Sequence, residues 1–144
     1  MFIGEFHHNL DIKGRIAIPS KFRSKLSEGA VITRGLDNCL TLYPKKVWLE
    51  LAEKLSTLSI VKANSRAFAR FMLSGAMDVD LDGQGRIIIP EYLREYANTI
   101  KKIVIVGLFD KIEIWAEERW IKYKASTEKN SNEIAEKLGE IEGI

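Results

Sequence analysis

Apolar and polar positions alternate in this chain in one short pattern that occurs twice. Ile16 and Ile18 share one strand face, and Ile87 and Ile89 share another, because strand side chains repeat every two residues. A proline follows each of these strands and suits the first turn of a helix. In the segments PSKFRSKL and PEYLREYA, apolar residues recur four positions apart on one face. Each copy therefore predicts a strand, a tight turn, a second strand and a short helix.

Further strands and helices are predicted after each copy of this pattern. The strand pairs AVITR with CLTLY, and KIVIVG with KIEIW, are separated by Gly, Asn or Asp residues that favour turns. Pro44 opens a helix over KKVWLELAEKL, a second helix starts at Asn64, and EERWIKYK predicts a shorter one. The last segment, NEIAEKLGEI, has isolated apolar positions, which favours a weakly held tail or a tail that docks on a partner.

The two copies are an internal repeat. Residues 81–94 align with residues 10–23 at a constant shift of 71, with eight identities where chance would give roughly one. Further matches extend the alignment over both halves of the chain. We therefore divide the chain into a first repeat with its connecting helices at 1–70, a second repeat at 71–125 and an acidic tail at 126–144.

Each copy places Asp, Gly and Arg at the spacing of a tight hairpin. Asp11 and Gly14 stand at the first and fourth positions of a type I turn, and Asp82 and Gly85 repeat this arrangement. The glycine can take the left-handed conformation that closes a three-residue hairpin loop. The carboxylate of Asp11 can either cap turn amides or face Arg15 across the mouth of the hairpin. Both alternatives fix where the arginine points.

An arginine held on a narrow two-stranded ribbon fits the DNA major groove, where guanine O6 and N7 accept from a guanidinium. The predicted base-reading residues are Arg15 and Arg86. Nearby basic side chains are predicted to contact the sugar-phosphate backbone; they are Lys13, Lys21, Arg23 and Lys25. One such hairpin alone is more often an ordinary surface turn, but a surface arginine kept in both diverged copies has no packing reason.

The net charge of +2 is too small to indicate DNA binding, but the distribution of charge along the chain is informative. The span 11–25 has five basic residues and one acidic residue, a net charge of +4, while 82–95 has two basic and three acidic residues, a net charge of −1. The tail after Ser126 is acidic. It is therefore expected to point away from DNA or to compete for the basic segment.

Several classes of function find no support in the residues. The single cysteine, Cys39, excludes an internal disulfide and a multi-cysteine zinc site. His7 and His8 are adjacent, so in a strand they face opposite sides. Gly83-Gln84-Gly85 lacks the Lys-Ser/Thr of a phosphate-binding loop. We expect no enzyme activity, cofactor, metal or small-molecule substrate, no membrane segment, and a cytoplasmic location.

Four segments of the chain carry a resemblance to a known family: LDIKGRIAIP, DGQGRIIIP, GLDNCLTLYP, and Glu113-Ile114-Trp115 with Trp120. From Met1 to about Tyr123, the chain resembles the MraZ family of bacterial transcriptional regulators with two AbrB-like (SpoVT/AbrB) domains in tandem. The resemblance implies an α+β, mainly β fold, in which tandem repeats form a pseudo-twofold swapped-hairpin β-barrel with flanking helices. It also implies ring-shaped homo-oligomers and a gene beside the cell-division and cell-wall cluster.

The resemblance further implies a nucleoid-associated repressor that binds double-stranded DNA at repeated G-rich promoter boxes. The reading hairpins of the family match Asp11 with Arg15, and Asp82 with Arg86. The acidic Glu91 and Glu95 depart from a basic second hairpin. An alternative is an antitoxin module that binds a partner protein as well as DNA, although the doubled domain and short tail favour the regulator. A structural ring without DNA binding is a third possibility.

Overall fold

The computed structural model describes the backbone of residues 1–142 and the side chains of residues 1–139. The fold is α+β, with mainly antiparallel strands and flanking helices. The strands are β1 (Phe2–Asn9), β2 (Arg15–Ala17), β3 (Ala30–Arg34), β4 (Leu40–Pro44), β5 (Met77–Val79), β6 (Arg86–Ile88), β7 (Lys102–Phe109) and β8 (Ile112–Ala116). The helices are α1 (Ser20–Arg23), α2 (Lys45–Ser56), α3 (Ala63–Ser74), α4 (Glu91–Ala97), α5 (Glu117–Lys129) and α6 (Ser131–Glu142), with 3₁₀ turns at Ser24–Leu26 and Leu36–Asn38.

The strands form two sheets that interleave the repeats. A six-stranded sheet has the order β1-β7-β8-β4-β3-β5, and β2 pairs with β6 in a separate two-stranded sheet, which we call the ribbon. In the alignment of the two repeats, β1 corresponds to β5, β7 to β3 and β8 to β4. The sheet therefore has the same order of equivalent strands when it is read from either edge. The first strand of each repeat thus pairs with the hairpin of the other repeat. A local pseudo-twofold axis runs between β4 and β8.

The ribbon differs from the expected hairpin. In its antiparallel register Ile16 lies opposite Ile87, with Arg15 opposite Ile88 and Ala17 opposite Arg86. Its two strands come from different repeats, whereas the sequence pattern predicted two arms of one hairpin. The arms of the first copy are joined at the loop by the bond from the Asp11 N–H to the Arg15 carbonyl, at 2.9 Å. A strand pattern defines the buried face but does not specify the partner strand.

Reciprocal hydrogen bonds lock the two loops to each other. The N–H of Ile18 donates to the Gly85 carbonyl at 3.0 Å, and the N–H of Ile89 donates to the Gly14 carbonyl at 2.9 Å. The glycine that closes each turn therefore accepts a hydrogen bond from the residue that follows the ribbon strand of the other repeat. Neither loop can shift without disturbing the other.

The main core lies between the ribbon and one face of the six-stranded sheet. The alternating isoleucines of the sequence pattern, Ile16, Ile18, Ile87 and Ile89, are all at most 1% exposed within it. Burying an isoleucine side chain contributes about 1.5–3 kcal/mol to the free energy of folding. Loss of the buried isoleucines from either copy would therefore destabilise the fold strongly. Because both repeats supply this one core, the molecule folds as a single unit.

The other face of the sheet is covered by helices. One cluster packs α2 and α3 through Trp48, Leu55 and Met72, and another packs α5 through Trp120 against Trp115. The strands described form an open sheet with β1 and β5 at its edges, so barrel closure is not observed. None of the helices within residues 1–142 is both long and apolar enough to cross a membrane.

The predicted tail is helical where it is described. α5 continues past Ser126 to Lys129, and α6 follows. Ile134 and Leu138 of α6 are 41% and 39% exposed. The last two residues of the predicted tail, 143 and 144, lie outside the described residues.

Candidate nucleic-acid interface

The first loop is organised by the carboxylate of Asp11. Its Oδ1 accepts from the backbone N–H groups of Lys13 at 2.9 Å and Arg15 at 2.8 Å, and its Oδ2 accepts from Arg15 Nε at 2.7 Å. The two alternatives left open by the sequence, capping and ion pairing, therefore occur together. These contacts, the backbone N–H of Arg15 foremost, lower the pKa of Asp11.

The second loop repeats this geometry. Asp82 Oδ1 accepts from the N–H groups of Gln84 and Arg86, both at 2.9 Å, and Oδ2 accepts from Arg86 Nε at 2.8 Å. The backbone N–H of Arg86 is the largest cause of the lowered pKa of Asp82. The glycines that close the loops, Gly14 and Gly85, have φ values of +79° and +74°, which confirms the predicted left-handed conformation.

Both guanidinium groups reach solvent. The side chains of Arg15 and Arg86 are 26% and 27% exposed, which rules out a core position for either. Each donates through Nε to its aspartate, and within the described residues neither terminal Nη donates a hydrogen bond to the protein. Each arginine thus has a fixed stem and an unoccupied pair of NH₂ groups, the edge that forms a bidentate contact.

The ribbon brings the two arginines onto one surface. Ile16 and Ile87 point into the core, so alternation turns Arg15, Ala17, Arg86 and Ile88 to the opposite side, which we call the ribbon face. In this register Arg15 and Arg86 are diagonal neighbours, with Cα atoms about 7–8 Å apart. The sequence placed both arginines on hairpins but gave no sign that they would be neighbours.

An arginine from each repeat covers the loop of the other repeat. Arg23 Nε donates to the Ile18 carbonyl at 2.8 Å, and its side chain lies directly over Gly85. Arg94 Nε donates to the Ile89 carbonyl at 2.9 Å and lies over Gly14. Arg23 was predicted as a phosphate contact beside the first hairpin, but the structure places it at the second loop.

Arg94 is a residue that the sequence reasoning left out of the site. The identity of Arg23 and Arg94 between the copies was the available signal. With the exchange, each loop has one aspartate, its own arginine and an arginine from the other repeat. The local charge of the second loop is therefore more positive than its own segment indicates.

The predicted lysines occupy three different environments. Lys13 is exposed at the tip of the first loop. Lys21 Nζ lies 4.8 Å from the centroid of the Phe6 ring, a cation–π distance. Lys25 lies beside the amino group of Met1, and this contact lowers the pKa of that amine. Met1 precedes β1 and Asp11 follows it, so Lys25 lies far from the first loop, at the opposite end of the strand.

Other residues considered in the sequence do not form a chemical centre. Cys39 is buried, which raises the pKa of its thiol. His7 lies between Glu5 and Glu117, with ring nitrogens 3.2 Å and 3.1 Å from their carboxylates. The described residues contain no group of three or more His, Cys, Asp or Glu side chains placed to hold a metal ion. Glu91 and Glu95 are exposed on α4.

Comparison with known proteins gives matches over the whole chain. A family model described as "MraZ protein, putative antitoxin-like" matches residues 1–71 and again residues 72–140. A Transcriptional regulator MraZ from Halothermothrix orenii is 50% identical over 141 residues, covering 98% of this chain and 99% of the relative. One from Clostridium acetobutylicum is 49% identical over 141 residues, with the same coverage.

The chain is also similar to a third relative and, more distantly, to a solved structure. The Transcriptional regulator MraZ from Pediococcus pentosaceus is 51% identical over 138 residues, covering 96% of each chain. The solution structure of PHS018 from Pyrococcus horikoshii is 16% identical and covers 79% of this chain and 88% of its own, with a TM-score of 0.31. That score is too low to establish a common fold.

Proposed function

Since this chain belongs to the MraZ family, we propose that it regulates transcription by binding double-stranded DNA through the ribbon face. Its relatives are named transcriptional regulators, so the family is one of regulators and not of enzymes. One observation carries the proposal for the site: Arg15 and Arg86 are diagonal neighbours on one outer surface, and their NH₂ groups have no protein partner within the described residues.

The geometry of the arginines suits base reading in the major groove. The groove is about 12 Å wide and admits a two-stranded ribbon. A guanidinium bound through Nε to a carboxylate presents its two NH₂ groups in one plane, which matches guanine O6 and N7. Asp11 and Asp82 order these side chains before DNA arrives, and this lowers the conformational entropy lost on binding.

The remaining basic residues supply affinity rather than sequence preference. We assign Lys13, Arg23 and Arg94 to the sugar-phosphate backbone, because they lie at the loops that flank the ribbon face. Lys21 lies at the start of α1 with its Nζ over the Phe6 ring, and we assign it a peripheral contact. Lys25, beside Met1, is outside this surface.

The preference of arginine for guanine supports G-rich operator boxes, which agrees with what the family resemblance implies. We propose that the protein represses the promoter of the cell-division and cell-wall cluster through repeated boxes of this kind. Such a protein would lie on the nucleoid. The paired guanidinium groups support the reading of guanine, whereas the repression and the target cluster are proposed from the family resemblance.

Self-association belongs to the same proposal. Several large apolar side chains are exposed around a groove near the start of β1; they are Met1 (64%), Leu49 (58%) and Phe109 (69%). An exposed apolar patch of this kind is typical of an interaction surface, and it supports the proposal that copies of this chain associate here in a ring-shaped homo-oligomer. Within each copy, we propose the swapped-hairpin barrel of the family, because the ribbon and the six-stranded sheet enclose one core.

Partner binding by the tail is a second candidate function. The exposed Ile134 and Leu138 of α6 favour it, as does the antitoxin likeness in the family description. Capture of one protein encoded beside this gene by the full chain, and loss of that capture on Ile134→Glu, would support it. Retention of DNA binding by the same variant would show that the two functions are separate.

The experiment that tests DNA reading compares specific and random sequences. Footprinting upstream of the gene for this protein would first define an operator. Arg15→Ala should weaken binding to that operator by about 1–3 kcal/mol and remove the base preference at one position. Arg70→Ala is the matched control, since it removes an exposed arginine from α3, on the face of the sheet away from the ribbon. Equal loss on operator and random DNA by Arg15→Ala would contradict the assignment.

A further inference from the structure

The ribbon face carries one exposed apolar side chain between its arginines. Ile88 is 59% exposed, while the isoleucines on either side of it, Ile87 and Ile89, are fully buried. Its counterpart in the first repeat is Ala17, which is half-buried. The two copies are therefore alike in their arginines and different at the position between them.

The register fixes the place of Ile88 relative to the base-reading groups. Ile88 lies directly opposite Arg15 on the neighbouring strand and two residues after Arg86 on its own strand. Directly opposite residues have Cβ atoms about 4.5–5.5 Å apart. Stacked base pairs are spaced by about 3.4 Å. An isoleucine beside a guanine-reading arginine therefore reaches the next base pair.

We propose that Ile88 is a specificity-determining residue that contacts the C5-methyl group of a thymine beside the guanine read by Arg15. This inference rests on the proposed DNA-binding function and adds a second base class to it. The methyl of thymine is the one apolar group on the base edges of the major groove, and apolar side chains recognise it by contact. The exposed branched side chain of Ile88 supplies that contact.

The contact would also determine the orientation in which the ribbon binds an operator box. Arg15 and Arg86 are related by the pseudo-twofold axis of the ribbon, so by themselves they would read a box equally well in either orientation. Ile88 and Ala17 occupy equivalent positions but differ in size. The exposed Ile88 reaches further from the ribbon than the half-buried Ala17, so a thymine methyl should be recognised more strongly at one end of the ribbon, and the operator is expected to be asymmetric.

A purely structural interpretation makes a different prediction. Ile88 also borders a groove lined by Met77, Asp78, Val79, Asp80 and Pro90, and single exposed apolar residues are common on protein surfaces. Under that interpretation, truncation of Ile88 would alter stability or self-association. It would have no effect that depends on one methyl group of the DNA.

Replacement of thymine by deoxyuridine tests the inference, because it removes the methyl and keeps the hydrogen-bonding groups. Each thymine of the footprinted operator is replaced in turn, and binding of the full chain is measured by titration. At one position the native chain should lose about fourfold in affinity, the equivalent of one buried methyl group of about 0.8 kcal/mol. Ile88→Ala should bind thymine and deoxyuridine operators equally.

Two further variants keep the test decisive. Ile88→Val retains the branched shape and should show an intermediate ratio, which replaces the alanine variant if that one folds poorly. Ile60→Ala, at a side chain that is 82% exposed between α2 and α3, should keep the full ratio. A native chain insensitive to every deoxyuridine, or an unchanged ratio in both Ile88 variants, would overturn the inference. Failure to bind any DNA would instead overturn the proposed function.

Discussion

Among single residues, the two loop aspartates have the most direct effect on the arginines. Asp11 and Asp82 each accept two backbone N–H groups and one guanidinium Nε. One carboxylate therefore fixes both the turn and the side chain that follows it. This coupling explains why the Asp, Gly and Arg recur at the same spacing in copies that have otherwise diverged in charge.

The loop glycines provide the first prediction. Gly85 has φ of +74°, and a Cβ atom there would overlap the Arg23 side chain. Gly85→Ala should lower the free energy of unfolding by about 1–2 kcal/mol from backbone strain, with displacement of Arg23 adding to it. Gly83→Ala in the same loop is the matched control, because open space surrounds its Cβ position. Urea denaturation measures both; equal midpoints for the two variants would contradict this account.

Prediction at the residue scale succeeded where the cause is local. The turn closed between Asp11 and Gly14, the left-handed glycine and the contacts of Asp11 with turn amides and with Arg15 follow from four or five consecutive residues. The placement of Arg23 over Gly85 does not, since these residues are 62 positions apart and belong to different repeats. A repeat alignment shows which residues correspond, but not whether they contact their own loop or the other one.

At the scale of elements, α5 is held to β1 by charged side chains. Lys124 Nζ lies 2.9 Å from Glu5, and His7 lies 3.1 Å from Glu117. The bond to Glu117, followed by that to Glu5, raises the pKa of His7 above its ordinary 6.5. These pairs connect β1, at the sheet edge, to the helix that leads into the tail.

The second prediction concerns the pH dependence of this helix. Because the pKa of His7 is raised in the fold, its stabilisation is complete below pH 6.5 and is lost as the pH rises through the folded value. The amide protection factors of α5 should therefore fall modestly between pH 6 and pH 8, since exposed pairs contribute about 0–1 kcal/mol. Hydrogen exchange, corrected for its intrinsic pH dependence, measures this.

Two histidine variants separate this effect from general pH sensitivity. His7→Gln cannot titrate and should remove the dependence of α5. His8→Gln should leave it in place, because the pKa of the neighbouring His8 is lowered, mainly by burial, and His8 has no hydrogen bond to α5 within residues 1–139. A pH slope that survives in His7→Gln would show that another group controls the helix.

Strand positions followed from the sequence, but strand partners did not. The spacing of Ile16 and Ile18, two residues apart, predicted which face of β2 is buried. The turn residues before Arg15 predicted where the strand begins. β2 has only three residues, and its hydrogen-bonding partner is the equivalent strand of the other repeat. Periodicity is a property of one strand, while pairing depends on which strand approaches once the common core forms.

For the whole molecule, interleaving makes the ribbon face a product of both repeats. Its four residues come in pairs from β2 and β6, and the isoleucines beneath them close one core. The family and its regulatory character could be identified from sequence motifs and are confirmed by the relatives, and the α+β class is confirmed by the structure. The adjacency of Arg15 and Arg86 required the three-dimensional register.

The last prediction concerns repeated operator boxes and the proposed ring. If several subunits engage boxes on one duplex, binding should exceed that of a single box by about 10²–10⁴ in suitable geometry. Boxes separated by whole helical turns, about 10–10.5 base pairs each, face the same side of the duplex. Inserting five base pairs should rotate one box away and remove most of the gain, whereas inserting ten should restore it. Titration at fixed salt measures this; equal affinity at all spacings would contradict simultaneous engagement.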